Sequence, residues 1–407
     1  MAEWGLAGQV RFDMAARRRH PENKRHLGKI VALLGAMLLA ACSSVVPRTQ
    51  APPPPPPQTS EPGLDKGLPV DTARHRVALL VPMTGPNAGV GRSIANATTM
   101  ALLDTKTERL RITTYDTGKG AAAAAQRALA EGNKLILGPL TADEVKAAAP
   151  IARAANVPII SYSNDIAVAG NGVYLLGYMP EQSIDRVVGY ARSRGLSNFA
   201  ALVPKGVYGE RAGSAFLSRV KAAGGTLVAM ETFDRSPASV QAAIKRLAAS
   251  SSYDALLIAD AGRIALQAAP LVRANGGADA RILGTELWNA EAGLSASTAL
   301  RGAWYASVSD GLYRTLAGKY RTSYGAAPYR LASLGYDSVL LAVRIAADWK
   351  PGAAFPTARL GDAEGFAGID GAFRFNRTGV AERNLEVQEI GAGGTSVIDA
   401  APKGFGK

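Results

Sequence analysis

The 407-residue chain is 47% hydrophobic, 19% charged and 6% aromatic, a composition typical of a globular α/β protein and not of a disordered chain. It holds only three histidines and a single cysteine, Cys42, which excludes a Cys/His dyad, a structural zinc site and an internal disulfide, and leaves little histidine for a Ser/His/Asp triad. We therefore predict a non-enzymatic protein with no metal and no cofactor.

The N-terminal region has the order of a bacterial signal peptide. A basic segment from Lys24, an apolar run over 30–39 and two small residues lead to Cys42. The run is too short for a transmembrane helix, which needs about 20 residues. The four residues that end at Cys42 resemble the lipobox, so we predict that 1–41 is a signal peptide and that Cys42 attaches the chain to a membrane through a lipid. Ser43, in place of a retention-type aspartate, favours the periplasmic side of the outer membrane.

Residues 42–74 are predicted to be a tether. Their composition turns to Pro, Ser, Thr and Gln, and a six-proline run covers 52–57. Such a run favours extended polyproline II and cannot build a core. We expect this segment to hold the folded body away from the membrane.

The net charge of +13 does not indicate nucleic-acid binding. Much of the basic excess lies before the predicted cleavage site, at Arg11, Arg17, Arg18, Arg19, Lys24, Arg25 and Lys29. The remaining basic residues are scattered along predicted helices, with no Lys/Arg block and no interleaved aromatic residues. We therefore expect no nucleic-acid partner.

From Arg76 onward, short apolar runs alternate with amphipathic or alanine-rich segments, the pattern of βαβ units around a parallel sheet. The first predicted strands are 77–81, 110–115, 135–137, 157–161, 199–203, 227–231, 255–259 and 281–283. The predicted helices between them are 90–105, 121–131, 142–154, 181–194, 209–223, 239–249 and 263–274.

The last part of the chain predicts how two lobes share the sequence. A strand over 304–308 is predicted to return toward the first lobe. The segments that follow are helices 312–324 and 332–349 and strands 372–375 and 385–390. The predicted division is therefore 75–177 with 305–384 for lobe I and 178–304 with 385–407 for lobe II.

Ligands of open parallel sheets bind outside the carboxyl ends of the strands, where loops and helix N-termini converge. The function is therefore expected in the loops at that edge. These loops cover 83–85, 138–141, 161–165, 205–209, 260–262 and 284–288.

In their order and spacing, these segments resemble the type I periplasmic binding fold of the leucine/isoleucine/valine-binding family. The likeness covers about residues 75–400, and its most telling pieces are 77–85, 115–118, 137–140, 157–161, 208–209 and 373–379. The resemblance implies an α/β fold of two doubly wound parallel-sheet lobes, joined by a multi-strand hinge with a ligand cleft between them.

Within that superfamily, the predicted lipobox and tether together with 115–118 and 136–140 look most like the penicillin-binding protein activators. That resemblance implies a lipoprotein that regulates peptidoglycan synthesis by binding a peptidoglycan synthase. The alternative within the fold is a substrate-binding protein of an ABC transporter, with an amino acid of branched-chain type as its small polar ligand.

A free amino acid needs hydroxyl and N–H donors for its carboxylate and a facing carboxylate for its ammonium. Thr141, Ser161 and Ser163 are the candidates for the first role. Glu286 or Asp260 is the candidate for the second. The other predicted cleft residues are aromatic walls and polar loop groups, namely Tyr162, Tyr208, Trp288, Thr84 and Asn164.

These residues also have structural interpretations. Thr141 and Ser163 are good helix caps, Glu286 fits a solvent-facing loop acid, and Trp288 and Tyr208 fit hinge packing. An intact cleft with a paired ammonium site favours the small-molecule receptor. A blocked or apolar cleft with an exposed patch favours the protein-binding regulator.

Overall fold

The computed structural model describes residues 73–250 and 252–405. The predicted signal peptide (1–41), Cys42 and nearly all of the predicted tether (42–74) lie outside the described residues. The strands are β1 His75–Val81, β2 Leu110–Asp116, β3 Leu135–Leu137, β4 Ile159–Ser161, β5 Val173–Leu175, β6 Asn198–Pro204, β7 Thr226–Phe233, β8 Ala255–Ile258, β9 Arg281–Gly284, β10 Trp304–Ser307, β11 Phe366–Gly368, β12 Gly371–Phe375, β13 Ala381–Arg383, β14 Glu386–Gly391 and β15 Gly394–Asp399.

Most of these strands alternate with helices, as the sequence pattern predicts. The α-helices are α1 Ala88–Thr105, α2 Ala121–Ala130, α3 Ala142–Ala154, α4 Pro180–Ser193, α5 Val207–Ala222, α6 Pro237–Ala248, α7 Gly262–Ala274, α8 Gly311–Tyr324 and α9 Ala332–Ala346. Short 3₁₀ helices cover Thr117–Lys119, Ile166–Val168, Glu286–Ala290, Leu294–Ala296, Thr298–Leu300 and Thr357–Gly361.

Lobe I is built on a parallel sheet of strand order β2-β1-β3-β4-β5. Residues Val77–Val81 of the central strand are fully buried, because helices cover both faces of the sheet. Ile94 of α1 and Leu341 of α9 pack on one face, and Val145 of α3 packs on the other. The continuous apolar run that predicts β1 reflects this double burial.

Lobe II is built on a sheet of order β15-β14-β10-β9-β8-β6-β7. Its strands β6 to β10 are parallel, and β14 and β15 add to it in antiparallel orientation. Two parallel sheets in two lobes confirm the predicted fold class.

The strand after β9 corrects the predicted division of the chain. Trp304 pairs with Leu283 of β9 and with Glu389 of β14, so β10 belongs to the sheet of lobe II. The prediction that this strand returns to lobe I, and the assignment of 305–307 to that lobe, are wrong. Both sheets bury apolar strands on two faces, so the apolar run over 304–308 does not reveal which sheet it joins.

A small antiparallel sheet of order β11-β12-β13 packs on lobe I. Phe366 and Phe373 from this sheet are buried in the same core as α1 and α9. The sequence analysis missed β5, β11 and β13, which have three residues each, and β15, whose residues are largely exposed. Such short or exposed strands carry too little periodicity to be recognised.

Over 73–250 and 252–405, the chain crosses between the lobes three times. The connecting segments are 176–179 between β5 and α4, 308–310 between β10 and α8, and 384–385 between β13 and β14.

A buried polar network, which we call the hinge cluster, joins these three crossings. Its centre is Arg330, whose guanidinium lies 2.8 Å from a carboxylate oxygen of Asp370 and 3.4 Å from one of Asp310. Tyr178, in the first crossing, donates a hydrogen bond to Asp370. Arg383, next to the third crossing, donates to the first crossing through the carbonyl of Leu176 at 2.9 Å. The hinge cluster therefore ties together the segments that set how the lobes meet.

Candidate ligand-binding cleft

We call the boundary between the two lobes at the carboxyl ends of their strands the cleft, and Arg211 bridges it. Arg211 lies in α5 of lobe II and donates a hydrogen bond to the backbone carbonyl of Asn164, in the loop that follows β4 of lobe I. Its guanidinium is 3.9 Å from Asp165 and pairs with Glu181 of α4 at 2.7 Å. Loops of both lobes therefore meet at this edge, as the predicted cleft requires.

On the lobe II side, Glu286 is the central group. The Tyr208 hydroxyl donates to Glu286 Oε1 at 3.1 Å and lies 3.0 Å from the Thr285 hydroxyl. The Glu286 backbone N–H donates to the Ser183 hydroxyl at 2.9 Å. The second carboxylate oxygen, Oε2, is buried and accepts no hydrogen bond from the described residues. Burial raises the pKa of Glu286 to about 7.

Two more acceptors near Glu286 are buried without a hydrogen-bond donor. They are Oε2 of Glu181, whose charge acts on Glu286, and Oδ1 of Asn289, in the same 3₁₀ turn as Glu286. An unpaired buried acceptor costs about 1–3 kcal/mol. The lobe II face of the cleft is therefore short of donors among the described residues, which is the condition that a ligand ammonium relieves.

On the lobe I side, Glu144 fills the place that the sequence analysis gives to a ligand carboxylate. Thr141 caps α3 and forms a reciprocal capping box with Glu144. The backbone N–H groups of Leu140 and Thr141 donate to Glu144 Oε2 at 3.2 and 2.9 Å, and Thr117 donates to Oε1. The interpretation of Thr141 as a helix cap is therefore correct.

The serines after β4 are also engaged within lobe I. The Ser161 hydroxyl donates to the Pro139 carbonyl at 2.9 Å and accepts from the Ser163 N–H at 3.0 Å. The Ser163 hydroxyl accepts from the Asp165 N–H at 3.1 Å. Both side chains are almost fully buried. They hold the loop in its conformation, and their role as carboxylate ligands stays a prediction.

Two further predicted cleft residues face other groups. Tyr162 is 2% exposed and its hydroxyl lies 3.0 Å from the Ser338 hydroxyl, so it packs in lobe I and forms no cleft wall. Thr84 is exposed at the correct sheet edge, but its hydroxyl donates to Asp116 at 2.8 Å. Asp116 also accepts from the Met83 N–H at 2.8 Å and thereby holds the loop after β1.

Trp288 and Asp260 correct the prediction on the lobe II side. Trp288 is 0% exposed, packs with Tyr305 and donates to the Asp260 carbonyl at 3.1 Å, so it belongs to the core and not to a ligand wall. The Asp260 carboxylate is paired with Arg235 at 2.8 Å. Of the two predicted ammonium ligands, Glu286 alone has an unpaired oxygen.

The residues at this boundary that the sequence analysis missed are Arg211, Glu144, Glu181 and Asn289. The spacing of Thr141 and Glu144 carries a readable signal, since Thr-x-x-Glu before an apolar segment is a capping box. The other three depend on contacts between distant segments and have no local signal.

A groove of about 510 Å³ lies on lobe II between α5 and the edge strand β7. Its lining includes Leu217, Met230 and Lys205. Leu217 in this groove is 52% exposed, and Val207, next to the groove residue Gly206, is 61% exposed.

Within the described part of the chain, no helix combines the length and apolar character of a membrane span. The same residues contain no group of three or more His, Cys, Asp and Glu side chains arranged to hold a metal ion.

Two parallel-sheet lobes, three crossings and a cleft at the carboxyl ends of the strands define a two-lobed α/β binding protein. A family model described as periplasmic binding protein matches residues 75–395, and the chain belongs to this family. The family implies a periplasmic location, and its fold is typically one of solute binding without catalysis.

Known structures and one curated protein share this likeness. A putative branched-chain amino acid ABC transporter protein from Rhodospirillum rubrum is 21% identical with a TM-score of 0.70, over 80% of this chain and 100% of the other. LivJ of Streptococcus pneumoniae, solved with isoleucine, is 17% identical with a TM-score of 0.60, over 80% and 100%. A solute-binding protein of Rhodopseudomonas palustris, solved with 3,4-dihydroxybenzoic acid, is 20% identical with a TM-score of 0.65, over 82% and 97%.

Among curated proteins, the uncharacterized protein RP748 of Rickettsia prowazekii is 26% identical over 173 residues. The match spans 42% of this chain and 46% of that protein, so the chain matches about half the length of this relative.

The raised pKa of Glu286 predicts how stability depends on pH. In the unfolded chain this carboxyl ionises near its usual value of 4.5, and in the folded protein near 7. Between these pH values the folded state keeps a proton that the unfolded state releases. The contribution of Glu286 to the free energy of unfolding therefore falls as pH rises through this window. We expect the uncharged variant Glu286→Gln to match the unchanged protein near pH 5 and to exceed its stability near pH 8.

Urea unfolding at the two pH values measures this difference. The exposed Glu210, also in lobe II, provides the matched control Glu210→Gln, which removes a carboxylate at the surface. A stability difference between Glu286→Gln and the unchanged protein that is equal at both pH values contradicts the prediction.

Proposed function

We propose that the chain is a non-enzymatic periplasmic binding protein whose cleft binds a small polar ligand through Glu286. The observation that carries this proposal is the buried Oε2 of Glu286, which has no donor among the described residues. A ligand N–H held between the lobes removes the cost of that unpaired acceptor. The similar proteins solved with isoleucine and with 3,4-dihydroxybenzoic acid support a small ligand in this fold.

We further propose that the protein acts as a penicillin-binding protein activator in the regulation of peptidoglycan synthesis. The support is the lipobox-like sequence that ends at Cys42 and the proline-rich tether over 42–74. At about 3 Å per residue, an extended tether reaches tens of ångströms from the outer membrane toward a synthase. The exposed Val207 and Leu217 beside the lobe II groove supply an apolar surface of the kind that partner proteins cover.

The alternative is a substrate-binding protein of an ABC transporter. The paired site of Glu286 and Tyr208 favours it, as does the likeness to the Rhodospirillum rubrum protein. An outer-membrane anchor at Cys42 opposes it, because the permease of such a transporter lies in the inner membrane.

Thermal unfolding with a panel of amino acids, amines, sugars and aromatic acids tests the ligand site. A ligand that binds only the native state raises stability by about 2.7 kcal/mol at one hundred times its dissociation constant. We expect at least one compound to raise the melting temperature. The shift should disappear in Glu286→Gln and persist in Glu210→Gln. A panel without any shift contradicts the ligand site.

Activity assays separate the activator from the transporter. We expect the protein to bind a peptidoglycan synthase of its own organism and to raise its rate, and we expect deletion of the gene to leave amino-acid uptake unchanged. Lost uptake with unchanged synthase activity would reject the activator and favour the transporter receptor.

A further inference from the structure

We infer that the cleft selects a small organic cation with a protonated amine and no carboxylate. This inference rests on the proposed ligand site at Glu286 and names the class of compound that the site accepts. It follows from which donors and acceptors of the two cleft faces are already engaged.

The first step concerns donors on lobe I. A ligand carboxylate needs free N–H or hydroxyl donors. At the N-terminus of α3, the N–H groups of Leu140 and Thr141 already donate to Glu144. After β4, the N–H groups of Ser163 and Asp165 already donate to serine hydroxyls. These four loop N–H groups are thus engaged inside lobe I and are not free for a ligand carboxylate.

The second step concerns charge. Glu144 places a carboxylate at the N-terminus of α3, where donors from Leu140, Thr141 and Thr117 hold it. Asp165 adds a second carboxylate at the same edge of the sheet. A ligand carboxylate brought to this face meets like charges, which are unfavourable in a binding site.

The third step concerns the cations of lobe II. Arg211 directs Nε and Nη2 to Glu181 at 3.0 and 2.7 Å and donates through Nη1 to the Asn164 carbonyl. Arg235 is paired with Asp260 at 2.8 Å. Both guanidinium groups are therefore neutralised by partners within the protein and are not free counter-ions for a ligand carboxylate.

The fourth step concerns acceptors. Glu286, Glu181 and Asn289 each keep one buried oxygen without a donor. A protonated primary amine offers three N–H donors and no acceptor. The unpaired acceptors of lobe II match the N–H donors of an ammonium group. On lobe I, the carboxylates of Glu144 and Asp165 lie where a ligand carboxylate would have to bind.

Matched compounds that differ by one carboxylate test this selectivity. We propose to measure binding to the purified protein by calorimetry for leucine and 3-methylbutylamine, phenylalanine and 2-phenylethylamine, lysine and cadaverine, and ornithine and putrescine. In any pair that binds, we expect the affinity for the amino acid to be at least about tenfold lower than the affinity for its amine, because the amino acid places a carboxylate among like charges. We expect Glu286→Gln to abolish amine binding.

Glu144→Gln provides a second test, because glutamine keeps an acceptor for the Thr141 N–H while it removes the charge. We expect this variant to reduce the difference in affinity between the amine and the amino acid. We expect the control Glu210→Gln to leave that difference in affinity unchanged. An amino acid that binds the unchanged protein as tightly as its amine overturns the inference and leaves the ligand site standing. If no compound of either series binds, the inference fails, and the thermal-unfolding panel with sugars and aromatic acids decides whether the proposed ligand site stands.

Discussion

The buried ion pair of Arg330 and Asp370 is the interaction on which the relation between the lobes depends. Both side chains are nearly inaccessible to solvent, at 9% and 0%, and each also contacts a group from a different crossing, Asp310 or Tyr178. Breaking such a pair from one side leaves an uncompensated buried charge and costs about 3–5 kcal/mol. The pair thereby links the first and second crossings, and Arg383, next to the third crossing, donates a hydrogen bond to Leu176 in the first. Together these contacts hold the two sheet edges opposite each other.

Once the edges face each other, the two sides of the cleft differ in chemistry. In lobe I, the capping carboxylate of Glu144 already accepts from the N–H groups of Leu140 and Thr141. Lobe II leaves acceptors such as Glu286 Oε2 unpaired and buried. A difference of this kind selects ligands by charge before it selects them by shape, since burial strengthens electrostatic interactions. This arrangement supports the proposed binding of a ligand that donates hydrogen bonds, and Arg211 spans the cleft while paired with Glu181.

The fold was largely predictable, because apolar runs of strand length alternate with helical segments throughout the two main sheets. The strand over 304–308 was assigned to the wrong lobe, since burial on both faces looks the same in either sheet. Glu286 was predicted from its loop, yet Trp288 from the same loop points into the core, because the 3₁₀ turn over 286–290 separates the two side chains. The contact of Arg211 with lobe I could not be predicted, since it depends on how two separately folded sheets meet.

The central claim is that Glu286 is a buried carboxyl group that binds a cationic ligand. A titration that follows the carboxyl ¹³C resonance of Glu286, assigned by its loss in Glu286→Gln, measures this most directly. We predict a pKa of about 7 in the free protein and a lower pKa when an amine is bound, because a neighbouring ammonium stabilises the charged form. A pKa near 4.5 that does not change with any amine would contradict the account.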